Sequence, residues 1–451
     1  MRTASIATLA GLALHYASFL WLGTPLLTDT IAEWIMARTP NSMSVLLLEM
    51  LGEWAKPFAA TGGLAVLGGL LRMATVLPGV RIRVVAGLMA AALLAWGLPY
   101  HSPIGLASFW VPALLLSGAR VAETSSSRRW FLASAMSAGT GAVAVEAFLR
   151  ERGLSRAAVE PLELFPYQAP PGVTPVHEFY GMSKNTVDPS PDPSRWRLKV
   201  WAEDRLLAEF GYRDLMRISR ENRYVTLRCI SNTLKSNLMG TALWTGFPIR
   251  AIVDPTVLAD GFVEAAVIGE DGHGDSFPLD YFLGGETMLA VGMNGRTLNR
   301  THGFPLRLIV PRYYGFKNVK WISSIRFVRK PYLGTWPKMG YRKEALIHTC
   351  SSIGRVQTHA EGLVATGVAF AGDRGIRAVR LRADGGAWVD AALESPLSPH
   401  TWTRWRCVIP VRSAQLIEAR AQDGAGNWQA DKETPLFPGG VEGPTVIKVH
   451  L

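Results

Sequence analysis

An abrupt change of character near residue 150 constrains this chain more than any average over its length. Residues 3 to 28 hold no Asp, Glu, Lys or Arg, and the run from Ile6 to Leu22 is apolar enough to span a bilayer, whose ~30 Å hydrocarbon core takes roughly 20 residues in helix. A second apolar stretch, Pro57 to Val80, is broken only by Arg72, and a third, Val84 to Ala119, has no charged side chain. At about 1.5 Å per residue the third exceeds one crossing. The Pro99-Tyr100-His101-Ser102-Pro103 sequence offers a turn in its middle, so it reads as a helical hairpin. Ser127-Arg128-Arg129-Trp130-Phe131-Leu132 follows, in the S-R-R-x-F-L pattern of a twin-arginine export signal, ahead of an apolar segment reaching Phe148. With the N-terminus inside, Arg2, Arg72, Arg81, Arg83, Arg120, Arg128 and Arg129 all fall on the cytoplasmic side. These features predict about five transmembrane helices over residues 1–150. They place the rest of the chain on the periplasmic or extracellular face of the cytoplasmic membrane. His15 and His101 lie in or near these spans and read as interfacial, hydrogen-bonded histidines rather than haem ligands.

From about residue 160 the chain reads as a soluble protein, with alternating polar and apolar residues and frequent Gly/Pro turns. The formal charge of +11 is scattered rather than gathered into a tract, so nucleic acid is not expected as a partner. Three cysteines in 451 residues exclude a disulfide scaffold and Cys-ligated iron–sulfur clusters, and no CxxCH haem-attachment motif occurs. A Pro-rich linker at 151–175 precedes a domain over 176–345. There Trp196-Arg197-Leu198-Lys199-Val200-Trp201 alternates as a strand. Tyr224-Val225-Thr226-Leu227-Arg228-Cys229-Ile230 is a second strand that runs into a polar loop. Cys229 therefore stands at a strand end, where a thiol is able to reach a bound group. Taken alone, such a cysteine is more often a small buried hydrophobe.

The neighbouring sequence changes that reading. Thr226-Leu227-Arg228-Cys229-Ile230-Ser231-Asn232 carries a hydrophobic-x-Cys-x-x-Asn pattern, and Trp244-Thr245-Gly246-Phe247-Pro248-Ile249 a W-x-G-[VF]-P-[LI] element. Met293-Asn294-Gly295 forms an M-N-G turn. Thr301-His302-Gly303-Phe304-Pro305-Leu306-Arg307 leads through Pro311 to Tyr314-Gly315-Phe316-Lys317-Asn318-Val319-Lys320-Trp321. In this order and spacing the region from about 177 to 330 resembles the molybdopterin domain of the sulfite oxidase family. The resemblance implies an oxidoreductase performing two-electron oxygen-atom transfer on a small substrate, with a molybdenum-molybdopterin cofactor whose metal is bound by the Cys229 thiolate, a soft ligand. By the same resemblance Lys184, Asn185, Thr186, Asn232, His302, Arg307, Gly315, Phe316, Lys317 and Lys320 are candidate cofactor contacts. The chemistry of the run agrees: Arg307 offers a planar fork suited to phosphate, Gly315 permits close backbone approach, and Lys317 and Lys320 add positive charge.

The chain departs from sulfite oxidases where the substrate dianion binds. Of the family's R-N-H loop only Asn185 matches, while Lys184 and Thr186 do not. Thr233 and Leu234 stand where arginines follow the cysteine, and Val291 replaces the tyrosine two residues before the M-N-G turn. Losing several charge-assisted contacts at roughly 1.5–3 kcal/mol each would cripple sulfite binding. The Tyr-Gly-Phe-Lys run and the export route resemble the methionine sulfoxide reductase branch instead. The alternatives are a sulfite oxidase-like dehydrogenase and a non-catalytic binding or scaffold protein that keeps the fold.

Residues 346–451 change character again, with short strand-like runs separated by Gly/Asp turns that suggest an immunoglobulin-like sandwich. Gly372-Asp373-Arg374-Gly375-Ile376 and Ala421-Gln422-Asp423-Gly424-Ala425-Gly426-Asn427-Trp428 resemble the dimerisation domain of sulfite oxidases, which implies a homodimer through this domain. Cys350 and Cys407 both lie here, as a disulfide or as two separate buried thiols. The expected fold class is therefore α+β: transmembrane helices, a mixed α+β molybdopterin domain and a C-terminal β-sandwich. The membrane and a separate redox partner, a cytochrome or a quinone-linked protein, complete the expected partners.

Overall fold

The computed structural model describes residues 160–449, apart from 186, 187, 235, 237, 259 and 260. Within them the architecture is almost wholly β. One five-stranded sheet has the order β2-β1-β10-β5-β6, built from β1 (Arg197–Ala202), β2 (Arg205–Gly211), β5 (Glu264–Gly269), β6 (Gly274–Pro278) and β10 (Ile322–Val328). Its β1–β10 pair is parallel, and its other pairs are antiparallel. The second sheet runs β3-β4-β7-β8, from β3 (Glu221–Arg228), β4 (Met239–Pro248), β7 (Met288–Met293) and β8 (Arg296–Thr297), with β9 (Arg307–Ile309) also pairing β7. Strands β4 and β7 are buried along almost their whole length, as expected of strands covered on both faces. Phe247, Leu289, Val291, Leu308 and Ile325 join one core cluster; Val225, Leu227, Trp244, Met288 and Ile309 join another.

The C-terminal part contains two four-stranded sheets. One is β11-β12-β16-β15, from β11 (Cys350–His359), β12 (Gly362–Phe370), β15 (Ala392–Leu393) and β16 (Thr403–Ile409). The other is β14-β13-β17-β18, from β13 (Ile376–Ala383), β14 (Val389–Asp390), β17 (Leu416–Asp423) and β18 (Thr445–Lys448). Leu363, Ala365 and Trp405 from the first meet Val379, Leu381 and Ile417 from the second in one apolar core. Cys350 and Cys407 are buried free thiols, so the question of a disulfide closes in favour of separate cysteines.

Two expectations are corrected. The α+β class does not hold for the described residues, where the only α-helices are α1 (Tyr212–Leu215), α2 (Leu279–Leu283) and α3 (Thr335–Lys338), of four or five residues each. The physical reason is visible in the strands, whose burial alternates or is continuous over runs too short for a helical stripe. The multi-pass membrane localisation is likewise not supported: no helix among the described residues is long and apolar enough to cross a membrane. The spans and the Arg128-Arg129 signal read within 1–150 lie outside the described residues. From Pro161 the proline-rich segment runs along β8, with Leu164 N donating to Gly295 O at 2.8 Å and Thr297 N to Leu162 O at 2.8 Å.

Strand β3 lies at the edge of its sheet, where unpaired backbone groups invite another chain. Here the C-terminal part covers that edge. Thr226 N donates to His400 O at 2.9 Å, Ser398 Oγ to Tyr224 O at 2.6 Å, and Trp402 N to Thr226 Oγ1 at 2.9 Å.

Candidate active site

Strand β3 ends at Arg228 and delivers Cys229 into a tight loop. Cys229 N donates to Leu238 O at 2.9 Å, and Asn232 N donates back to Cys229 O at 3.1 Å. The loop is organised by the buried Asn232, whose Oδ1 accepts from Leu238 N at 2.7 Å and Ser236 Oγ at 2.9 Å. Asn232 thus shapes the turn that presents the sulfur. Cys229 is buried. Burial pushes its thiol up, opposed by hydrogen bonds at Ser231 and the charge of Arg228. A soft metal would displace that proton on binding.

Two tyrosines that the sequence did not single out stand in electrostatic reach of this sulfur. Burial first, and then the charge of a Cys229 thiolate, push the phenols of Tyr180 and Tyr341 up, so both are neutral hydrogen-bond donors near pH 7. Tyr180 stacks on Phe179 with centroids 5.3 Å apart. Gly315 explains how the downstream motif comes so close. A Cβ there would lie 2.5 Å from Tyr180 Oη and 3.2 Å from Arg228 O. Only glycine lets the 315–317 turn rest against both. The sequence signal for Tyr180 is that it opens the run to Thr186 that stands where the family's R-N-H loop lies; Tyr341 has none.

Arg307, on β9, is buried. Its Nη1 donates to His302 O at 3.1 Å and its Nη2 to Asn318 O at 3.4 Å, and the guanidinium lies 4.8 Å from the Trp244 ring centroid. Its Nε has no partner, and no ion pair to it exists among the described residues. Burial pulls its pKa down to about 10, with Tyr180 opposing. A desolvated cation with an unused donor and no carboxylate suits an anionic ligand. His302 is buried beside it, its Nε2 3.0 Å from Val176 O, and burial holds it down to about 4, so it is neutral near pH 7 and donates through Nε2. Lys320 Nζ donates to Thr301 O at 2.9 Å and rests over Trp321.

Other candidates sit differently. Lys317 is fully buried, and its Nζ donates to Asp275 Oδ1 at 2.7 Å, Ser276 O at 2.9 Å and Lys343 O at 3.0 Å. Three donors with three acceptors leave nothing to aim at a phosphate. Its geometry is that of a packing ion pair. Phe316 accepts from His273 Nε2 at 2.7 Å through its carbonyl. Asn185 is buried, Lys184 is half-buried, and Thr186 lies outside the described residues.

A group of partly exposed rings centres on Tyr341. Phe437 lies 5.1 Å away edge-on, Trp336 5.7 Å edge-on and Phe316 6.5 Å tilted, drawn from three separate segments. Beside a thiol flanked by phenols, they form an apolar rim rather than a cationic one.

The family model described as oxidoreductase molybdopterin binding domain matches residues 185–336, which contain Cys229, Arg307 and the 315–320 turn. The chain is 30% identical to the sulfite oxidase of Arabidopsis thaliana over 181 residues, 32% of this chain and 46% of that protein. It is 26% identical to the mitochondrial sulfite oxidase of Drosophila melanogaster over 343 residues, 61% of this chain and 60% of that protein. Residues 185–336 thus carry a molybdopterin-binding oxidoreductase domain, and the chain around them is similar to sulfite oxidases. It also matches an uncharacterized oxidoreductase, YuiH, of Bacillus subtilis, at 25% identity over 174 residues, 39% of this chain and 86% of that protein. Of the two sulfite oxidases the chain spans about half to three-fifths of the length. The matched domain is a molybdopterin-binding oxidoreductase domain, which indicates a molybdenum-molybdopterin cofactor. The orphaned Nε of buried Arg307 and the enclosed Cys229 sulfur fit an anionic pterin and its metal.

Proposed function

We propose that this enzyme carries out two-electron oxygen-atom transfer on a small, uncharged organic substrate, such as a thioether–sulfoxide pair, and that sulfite is not that substrate. The observation that carries this reading is the aromatic rim of Phe316, Trp336, Tyr341 and Phe437 beside the cysteine loop. Rings of this kind favour apolar or polarizable groups, including sulfur. Val291, standing where sulfite oxidases carry a tyrosine, is fully buried in the core, and Leu234 is buried as well. Neither offers a donor to a dianion.

When bound, the molybdenum-pterin group supplies the two-electron exchange and the oxygen acceptor. The chain's own part is to hold and orient. Cys229 offers the thiolate ligand, Arg307 the cation for an anionic group of the pterin, and Tyr180 and Tyr341 neutral O–H donors near the reacting centre. Reducing a sulfoxide consumes two protons and two electrons and releases a thioether and water. A separate electron carrier of the cytochrome or quinone-linked class exchanges those electrons.

Metal analysis followed by assay of the holoenzyme tests this reading. One molybdenum per chain is expected, with turnover of alkyl aryl sulfoxides using a viologen donor and a KM that rises for Tyr341→Ala. Protein without molybdenum, or sulfite turnover with a dye acceptor exceeding any sulfoxide rate, would overturn it.

A further inference from the structure

Arg228 is the residue before the proposed metal ligand, and the family pattern leaves it unassigned. It is almost completely inaccessible to solvent. Its Nη1 donates to His348 O at 3.0 Å, and its Nη2 lies 3.4 Å from Asn232 O and 3.5 Å from Val441 O. These carbonyls belong to three segments: the loop after Cys229, the stretch entering the C-terminal part, and the loop before β18. The guanidinium also faces the Tyr314 ring at 5.6 Å. Its Nε has no partner, and no ion pair to it exists among the described residues. Burial opposes the charge, and no carboxylate among the described residues lies within ion-pair distance to offset it directly. The geometry of a fork reaching three carbonyls is one that lysine cannot reproduce.

We infer that Arg228 is a positioning residue that fastens the C-terminal part to the Cys229 loop and places a fixed positive charge behind the ligand sulfur, raising the reduction potential of the metal it holds. The inference rests on Cys229 being the metal ligand. Arg228 directly precedes Cys229, and its charge favours the Cys229 thiolate. Burial opposes the guanidinium, while Cys350, Tyr314, Cys229 and, least, Glu442 support it. A reduced centre carries more negative charge than an oxidised one. A cation fixed nearby in a medium of low dielectric therefore favours reduction, and Glu442 moderates the effect.

The test compares loaded wild-type protein with Arg228→Met, Arg228→Lys and Glu442→Gln. Molybdenum and pterin content are measured first, followed by a redox titration read from the Mo(V) paramagnetic signal. Arg228→Met is expected to shift the one-electron equilibrium at least tenfold toward the oxidised form, ~59 mV downward. Glu442→Gln shifts it the opposite way, and Arg228→Lys stays within threefold of wild type while its signal broadens as the loop loosens. A purely structural role predicts loss of loaded protein with no movement of the potential in what remains. If Arg228→Met does not load, Glu442→Gln decides: an upward shift sustains the inference, and an unmoved potential overturns it. Wild-type protein without molybdenum would defeat the proposed function instead.

Discussion

Replacing Arg307 with methionine should separate the loaded and empty forms of the protein. In the empty form the charge is held at a cost. Burial pulls the pKa down to about 10, and at roughly 1.4 kcal/mol per tenfold change in acidity this amounts to about 3 kcal/mol. Removing the guanidinium relieves that cost. It also forfeits two hydrogen bonds to the His302 and Asn318 carbonyls, worth about 1 kcal/mol each. The contact with Trp244 adds about 1 kcal/mol more. These terms nearly cancel, so the empty variant should match empty wild type to within about 1 kcal/mol. The loaded form has no such compensation. One charge-assisted bond to an anionic group, at roughly 1.5–3 kcal/mol, corresponds to a 10- to 150-fold loss of affinity. Calorimetric melting of loaded and cofactor-deficient protein, with pterin content by fluorescence, reads both quantities. The reasoning is refuted if Arg307→Met retains full pterin and an unchanged gap in Tm between loaded and empty forms.

Two further outcomes follow from buried titratable groups. Burial holds His302 down to about 4, whereas in the unfolded chain it titrates near its ordinary value of ~6.5. A depressed folded value means that the unfolded state takes up the proton first. The associated stability is complete above pH ~6.5 and is lost as pH falls toward 4, by about 3 kcal/mol in all. Urea midpoints between pH 7 and 4 should show His302→Gln losing less than wild type by about that amount; parallel curves would dismiss the assignment. Lys317→Met leaves Asp275 buried without its cation and should destabilise by about 3–5 kcal/mol. Adding Asp275→Asn should restore most of this, with pterin per folded chain unchanged. A single variant that melts like wild type but lacks pterin would return Lys317 to the cofactor.

What was legible in the sequence was local. The apolar run from Tyr224 to Leu227 announces β3, and with it Cys229 at a strand end. Gly315 announces a close backbone approach, and the structure rests it against Tyr180 and Arg228 O. What was not legible depends on partners distant in the chain. Lys317 looked like a phosphate-facing lysine because nothing in its neighbourhood reveals Asp275, 42 residues earlier, which takes its charge. Tyr341 carries no motif, and its ring partner Phe437 comes from a segment far later in the chain. The fold class was misjudged for a related reason. The segment Leu279–Leu283 and its like are single turns between strands, and a short apolar run does not declare whether it coils or extends.

The covering of β3 joins these observations. An edge strand is the weakest place in a sheet to mount the proposed metal ligand, because its outer backbone groups are free to fray or to pair elsewhere. In this chain the outer edge is bonded by His400, Ser398 and Trp402, and the strand's last residue reaches the carbonyls of His348 and Val441. The side chain of Trp402 in turn donates to Gly172 O at 3.0 Å, tying the covering loop to the segment that leads to Tyr180. The C-terminal part thus does mechanical duty at the site while contributing Phe437 to its rim. Its removal would expose an edge, unpin a buried arginine and remove one ring from the aromatic group together. The residues that fix the cysteine's position are therefore spread over more than 170 positions of sequence, from Tyr224 to Ser398 and beyond, and the two β-rich parts form one functional unit.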